Sequence, residues 1–360
     1  MKSSIKKTAV LLVACLLVSC APLASEASPT LLPTPFVQHV LKASPTAIPG
    51  PTRAPTWTPE PSPTAASLLQ TPDPLIKYYI PALRVRQYGG GQLENLGVMA
   101  DFDSFTRYSI RYPSDGLNIA GFMNLPHGDG PFPVIIALHG YASPAEYQTL
   151  DYTTGAADDL AAQGYIVLHP NLRNFQPSDS GDALFRAGYA IDVLNLIALV
   201  RENAGKPGLF EQANAKRIGL WGHSMGGDIA LKVAEISPYV RAIVLYAGMG
   251  GDEQKNSQFF NFTTGNPDNQ KELQASAQDF ASISPDRFYK DITAAIQLHH
   301  GTGDTVIPVA WALETCQKLK EAGRQVQCFY YDGAEHTFRA RYIAQYGPRM
   351  DEFFAAYLKK

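Results

Sequence analysis

Cysteine is scarce in this chain, with four among 360 residues. That is too few for a disulfide framework to stand in for a hydrophobic core. Positive charge is not in excess: 30 Lys and Arg face 33 Asp and Glu, for a formal net charge of −3. No basic surface therefore argues for a nucleic-acid partner. No internal repeat is visible. No His, Cys and Asp cluster has metal-ligand spacing, and no glycine loop matches a nucleotide-binding fingerprint. The sequence thus implies neither metal nor cofactor. What remains is ordinary globular composition, 45% hydrophobic and 18% charged, enough for one large domain with a sizeable core.

Proline is plentiful but unevenly spread. Of the 27, most of the excess falls before residue 82. Lys2, Lys6 and Lys7 form a basic start, and the apolar run Thr8 to Val18 that follows is too short to span a bilayer. It ends in Leu17-Val18-Ser19-Cys20, which resembles a bacterial lipobox. Residues 1–19 are therefore expected to be an export signal. Cys20 would carry the lipid that anchors the chain to the cell envelope, on its extracytoplasmic side. A soluble secreted protein with an incidental Cys20 is the alternative. Removing residues 1–19 takes away three lysines and leaves the rest more acidic. Residues 20–74 repeat Ser-Pro-Thr, Pro-Thr-Pro and Pro-Glu-Pro-Ser-Pro-Thr. Each proline fixes φ and removes a donor, so neither helix nor sheet ladder can run. A solvated tether is expected there.

From residue 75 to 360 the pattern becomes that of a folded domain. Ser104 to Tyr112 and Leu117 to Leu125 read as a hairpin around Asp115-Gly116. Pro133 to Leu138 and Tyr165 to Leu168 are continuous apolar runs, as buried parallel strands should be. Helices are expected over Ala156 to Gln163, Ala183 to Arg201, Val309 to Ala322 and Ile343 to Leu358. Further strands are expected over Lys216 to Trp221, Arg241 to Tyr246, Ile292 to His299 and Gln325 to Tyr331. Alternating strand and helix predicts an α/β fold: a doubly wound, mostly parallel sheet with helices on both faces and the antiparallel hairpin at its leading edge. Residues 249–287, polar but containing Phe259, Phe260 and Phe262, read either as a small cap or as a surface excursion.

The chemistry centres on Gly222-His223-Ser224-Met225-Gly226-Gly227. This is a G-x-S-x-G motif between a strand and a helical pattern from Asp228 to Ile236, the setting of a nucleophile elbow. A serine hydroxyl needs a base, and the base needs an orienting group. The order nucleophile, acid, histidine is met by Ser224, Asp304 and His336. Asp304 lies in Gly301-Thr302-Gly303-Asp304 after a strand, and His336 in Gly333-Ala334-Glu335-His336 after the last. Asp332 is a rival acid, poorly placed because it shares the histidine's loop. Of the other histidines, His139, His169, His223 and His300 fall near the site and His299 within a strand; none follows the acid. An oxyanion needs two N–H donors. Met225, at the start of a helix, and Tyr141, in His139-Gly140-Tyr141, occupy the expected places. Cys316 and Cys328 lie on the helix and strand after Asp304. Export would permit a disulfide closing a loop of about a dozen residues, worth roughly 3 kcal/mol. Two buried thiols are the alternative.

Together these motifs, with Tyr112-Pro113-Ser114-Asp115-Gly116 and Glu335-His336-Thr337-Phe338, resemble the catalytic domain of prolyl oligopeptidase family serine peptidases, within the α/β-hydrolase superfamily. Dienelactone hydrolases and acetyl esterases are also similar. The resemblance implies an α/β-hydrolase fold, an acyl-enzyme mechanism without cofactor, and short peptides as substrates. Small or polysaccharide-linked esters are the second reading, and a non-catalytic binding protein the third. Family peptidases often carry an N-terminal β-propeller that filters substrates. The proline-rich stretch is not expected to form one, so peptide specificity is not expected to carry over with the motifs.

Overall fold

The computed structural model describes residues 74–151, 153–264 and 267–360. The expected export segment, Cys20 and the tether up to residue 73 lie outside the described residues. Nine strands form one sheet among the described residues: β1 (Glu94–Asp101), β2 (Phe105–Ser114), β3 (Leu117–Pro126), β4 (Phe132–Leu138), β5 (Ile166–Pro170), β6 (Ala213–His223), β7 (Val240–Tyr246), β8 (Ala295–Gly301) and β9 (Val326–Tyr331). Their order across the sheet is β1-β2-β3-β5-β4-β6-β7-β8-β9. Pairing is antiparallel from β1 through β3 to β5, and parallel from β5 to β9. The hairpin between β2 and β3 turns at Asp115 and Gly116, both left-handed at φ 52° and 80°, as a tight primed turn requires.

The helices are α1 (Ile80–Val85), α2 (Thr154–Ala162), α3 (Ala187–Asn203), α4 (Met225–Ile236), α5 (Glu253–Thr264), α6 (Pro267–Glu272), α7 (Ala277–Ile283), α8 (Val309–Glu321) and α9 (Ala340–Leu358). Side chains alternate across the central strands. Val134, Ile136, Leu138, Ile243 and Leu245 pack with α3, α4 and α8. Ile135, Ala137, Ala242 and Val244 pack on the opposite face with α2 and α9. Both faces are covered, which is why these strands read as unbroken apolar runs. The doubly wound α/β architecture expected from the sequence is present. Cys316 on α8 and Cys328 on β9 form a disulfide that ties the outermost parallel strand to its preceding helix. Among the described residues no helix is long and apolar enough to cross a membrane.

Three features depart from the sequence reading. The hairpin is not the edge of the sheet, because β1 pairs outside it. Nearly all of β1 is exposed, so it carries no alternation for the eye to find. The long helix begins at Ala187 rather than Ala183, because Phe185 and Arg186 take left-handed backbone at φ 54° and 57°. The segment 249–287 contains α5, α6 and α7, and buried charge ties it to the domain. Arg186 Nε lies 3.0 Å from Asp228 Oδ2 on α4, and the same guanidinium pairs with Glu253 on α5 and, at 3.6 Å, with Glu272 on α6. Lys232 on α4 also pairs with Glu253 and donates to Phe185 O at 2.6 Å. Glu272 accepts the Phe185 N–H at 2.5 Å and the Ser257 hydroxyl at 2.7 Å.

Two cations thus hold three carboxylates in a site almost closed to water. Burial, and then the charge of Glu253, push the Asp228 carboxyl upward, while Arg186 and Lys232 outweigh burial and hold Glu253 low. Removing the guanidinium leaves buried carboxylates uncompensated. The substitution Arg186→Met is expected to cost about 3–5 kcal/mol, read from the midpoint of urea unfolding. A loss under about 1 kcal/mol would mean that the cluster does not hold the insertion.

Candidate active site

Strand β6 delivers its chain directly into Ser224, whose backbone sits at φ 54°, ψ −118°. This is a costly conformation for a residue with a Cβ, and it persists only where its surroundings impose it. Three backbone bonds do so. Ser224 N–H donates to Tyr246 O at 3.1 Å, and Ser224 O accepts from Gly227 N at 3.0 Å and Met249 N at 3.0 Å. Crowding supplies the rest. A Cβ on Gly222 would lie 2.3 Å from Gly226 O, and a Cβ on Gly226 would lie 2.3 Å from Leu138 O at the end of β4. The motif's two glycines are therefore fixed by backbone contacts across the turn.

The loops after β8 and β9 are pressed together in the same way. Gly303 N–H donates to Ala334 O at 2.9 Å, and Thr302 N–H to Tyr331 O at 2.9 Å. A Cβ on Gly301 would meet Ala334 O at 2.1 Å. This clasp brings Asp304 and His336 into contact: His336 Nδ1 lies 2.8 Å from Asp304 Oδ2. A carboxylate only accepts, so the imidazole proton is held on Nδ1 and the Nε2 lone pair is left for another donor. The other carboxyl oxygen accepts the N–H groups of Val306 at 2.8 Å and Ile307 at 2.9 Å. Asp332, the rival acid, accepts instead from Thr302 Oγ1 at 3.1 Å.

His300 is a participant whose place the sequence did not fix. Its ring is fully buried, and Nε2 lies 2.9 Å from Ile307 O and 3.2 Å from Asp304 Oδ2. Burial alone would raise the Asp304 carboxyl. Hydrogen bonds from His300 and His336, the charge of His336 and the Ile307 N–H outweigh it and hold the group well below the usual carboxylate range. His223 behaves oppositely: burial first, then the nearby His336, push it down to about 3. It stays neutral beside the elbow, with Nε2 3.3 Å from His336 O. His139 is buried between Gly140 O at 2.7 Å and Asn171 O at 2.8 Å, and fixes the loop that carries Tyr141. His299 bonds Tyr331 and Gln297 within the sheet. His169 bonds Thr153 at 2.6 Å.

Ser224, His223 and His336 share a cleft of about 430 Å³. Its walls are Tyr141, Met249, Phe259, Phe260, Val306, Thr263 and Thr337, with no carboxylate, ammonium or guanidinium group among the described residues that line it. Phe260 leans on the Arg186 guanidinium at 5.0 Å and on the Tyr141 ring at 5.6 Å. The buried ion cluster thus reaches the cleft wall. Among the described residues no hydrogen bond joins Ser224 Oγ to the imidazole; such bonds commonly tighten only when substrate arrives. Among the described residues the Tyr141 and Met225 N–H groups donate no hydrogen bond. The Met225 group opens α4, where helix geometry leaves N–H groups without intrahelical partners. Among the described residues no group of three or more His, Cys, Asp and Glu is placed to hold a metal ion.

Comparison with known proteins adds a family. A model of the dienelactone hydrolase family matches residues 119–353. Among solved structures, an acetyl xylan esterase from Thermoanaerobacterium sp. JW/SL YS485 is 17% identical with a TM-score of 0.56, over 79% of this chain and 93% of that one. An esterase from Pyrococcus furiosus is 19% identical with a TM-score of 0.54, over 71% of this chain and 93% of that one. An acylaminoacyl peptidase from Pyrococcus horikoshii is 22% identical with a TM-score of 0.55, over 72% of this chain but only 43% of that one. No curated protein matches the chain.

Two outcomes follow from this geometry. Gly226→Ala puts a methyl group against the Leu138 carbonyl, so it should lower stability by about 1–3 kcal/mol through overpacking; wild-type unfolding midpoints would contradict the close approach. Asp304 has a folded pKa below its unfolded one. Its contribution is complete above the ordinary carboxylate pKa and is lost as pH falls toward the lower folded value. The stability gap between wild type and Asp304→Asn should therefore be constant above about pH 5 and shrink below about pH 4. A gap that widens on acidification would contradict the assignment.

Proposed function

The chain belongs to the dienelactone hydrolase family and is a hydrolase of the α/β-hydrolase type, and from that premise we propose that it is a serine carboxylesterase acting on esters of small, uncharged acyl groups. The observation that carries this reading is the imidazole of His336. Its proton is pinned by Asp304 at 2.8 Å, and its ring shares one cleft with the left-handed Ser224.

In the proposed reaction Ser224 Oγ attacks the carbonyl carbon as His336 Nε2 takes its proton. Asp304 keeps the imidazole in the required tautomer and stabilises the imidazolium that forms. The Tyr141 and Met225 N–H groups receive the oxyanion, the latter aided by the dipole of α4. The imidazolium then protonates the leaving oxygen, and water repeats the sequence on the acyl-enzyme.

The cleft lining supports ester over peptide. Among the described residues no ammonium, guanidinium or carboxylate group lines the cleft to hold the charged terminus of a short peptide, and an apolar, aromatic wall suits an acyl group. The peptidase reading keeps one point in its favour, the likeness to half of an acylaminoacyl peptidase. The lipobox-like Leu17-Val18-Ser19-Cys20 and the proline-rich stretch after it support export and a lipid anchor on Cys20.

The discriminating experiment uses one acyl group in two forms, an acetyl ester and the matching acetyl anilide. The ester is expected to turn over and the anilide to be hydrolysed at least on the order of 10³-fold more slowly, with ester kcat falling on the order of 10⁶-fold in Ser224→Ala. Comparable anilide turnover would favour the peptidase. Unchanged ester turnover in Ser224→Ala would remove the mechanism.

A further inference from the structure

A second cavity, of about 240 Å³, lies against the loop that carries His336. It shares two residues, His223 and Thr337, with the cleft that holds Ser224. The two cavities therefore meet at the same loop from different sides. Resting on the hydrolase reading above, we infer that the second cavity is the leaving-group subsite, and that it takes the ring-bearing, uncharged alcohol portion of an ester.

The position follows from the chemistry. The imidazole that removes the serine proton later hands it to the leaving oxygen, so the leaving group must lie on the imidazole's side. Thr337 and Phe338, the next two residues of the chain, line this cavity. Met249, Phe259 and Phe260 line only the other one.

The class of ligand follows from the walls. Trp221, Tyr246, Phe338 and Tyr346 supply aromatic surface. Their polar handles are used within the wall: Trp221 Nε1–H donates to Tyr346 Oη at 2.5 Å, and Tyr246 Oη accepts the Phe338 N–H at 2.5 Å. What faces the cavity is thus mainly ring face and edge, suited to a flat apolar group. Asp159 also lines it, and burial together with Asp158 and Asp351 raises its carboxyl. A carboxyl group on the wall disfavours an anionic leaving group.

Two glycines also border the cavity, Gly155 on α2 and Gly347 on α9. Neither has positive φ, and a Cβ built on either meets nothing within 4 Å. Gly347 precedes Pro348, whose ring crowds any side chain on the residue before it, so it is the space beyond the helix that bears on a ligand. Both glycines border open space where they line the cavity, and Pro348 lies within α9 beside it. A bulky side chain at either position would fill part of this space.

The test compares methyl acetate with 2-naphthylmethyl acetate, whose alcohols are of similar acidity. Gly347→Leu is expected to lower kcat/KM for the naphthylmethyl ester by about tenfold or more while leaving methyl acetate within about threefold. Gly155→Leu, from the opposite wall, should do the same. Equal effects on both esters, or none on either, would overturn the proposal. Calorimetric binding of 2-naphthylmethanol to the Ser224→Ala chain separates subsite from reaction. Binding that is lost in Ser224→Ala/Gly347→Leu supports the subsite even if neither ester is hydrolysed, in which case the esterase reading alone falls. Absence of binding removes the subsite while leaving that reading intact.

Discussion

The contact on which the site depends is between two pieces of backbone. Gly226, in the first turn of α4, sits so close to the carbonyl of Leu138 at the end of β4 that no side chain fits between them. Gly222 is pressed against Gly226 in the same fashion. These approaches force the chain to reverse within one residue, and Ser224 takes the left-handed backbone that results. The strain is stored by the parallel pairing of β4 with β6 and of β6 with β7. Remove the close approach, and the serine returns to an ordinary helix start with its hydroxyl no longer lifted from the turn.

A second constraint completes the arrangement. Strands β8 and β9 are parallel neighbours, so their carboxyl ends open on the same edge of the sheet. Their loops interlock through Gly303 and Ala334, which leaves Asp304 and His336 little choice but to touch. The carboxylate is then satisfied on every side, by two backbone N–H groups and two imidazoles. Such a group stays ionised and stays put. The cleft wall is fixed by different means. Phe260 rests on Arg186, whose guanidinium is held by three buried carboxylates from α4, α5 and α6. The buried ion cluster thus ties this wall of the cleft to α4.

Much of this was legible in the amino-acid sequence because the signals were local. Apolar runs such as Pro133 to Leu138 announce buried strands, and a G-x-S-x-G between strand and helix announces a turn. The order of the later loops placed Asp304 and His336 at neighbouring strand ends. What escaped was set by distant partners. Strand β1 buries almost nothing, and only its ladder with β2 defines it. The left-handed Phe185 and Arg186 follow from charges on three other helices, not from their neighbours in the chain. His300 reads only as a histidine near the Asp304 loop until the fold turns its Nε2 toward Asp304. The cavity beside the His336 loop is assembled from α2, β6, β7 and α9, and no short window of sequence contains it.

The central claim is that the strained serine, the oriented imidazole and the buried carboxylate form one reacting unit. Covalent trapping tests it most directly. The purified chain would be treated with a stoichiometric fluorophosphonate, and the adduct located by peptide mass mapping. The account predicts one phosphonyl group per chain, on the peptide bearing Ser224. A chain that takes up no label, or carries it on another residue, would contradict the account.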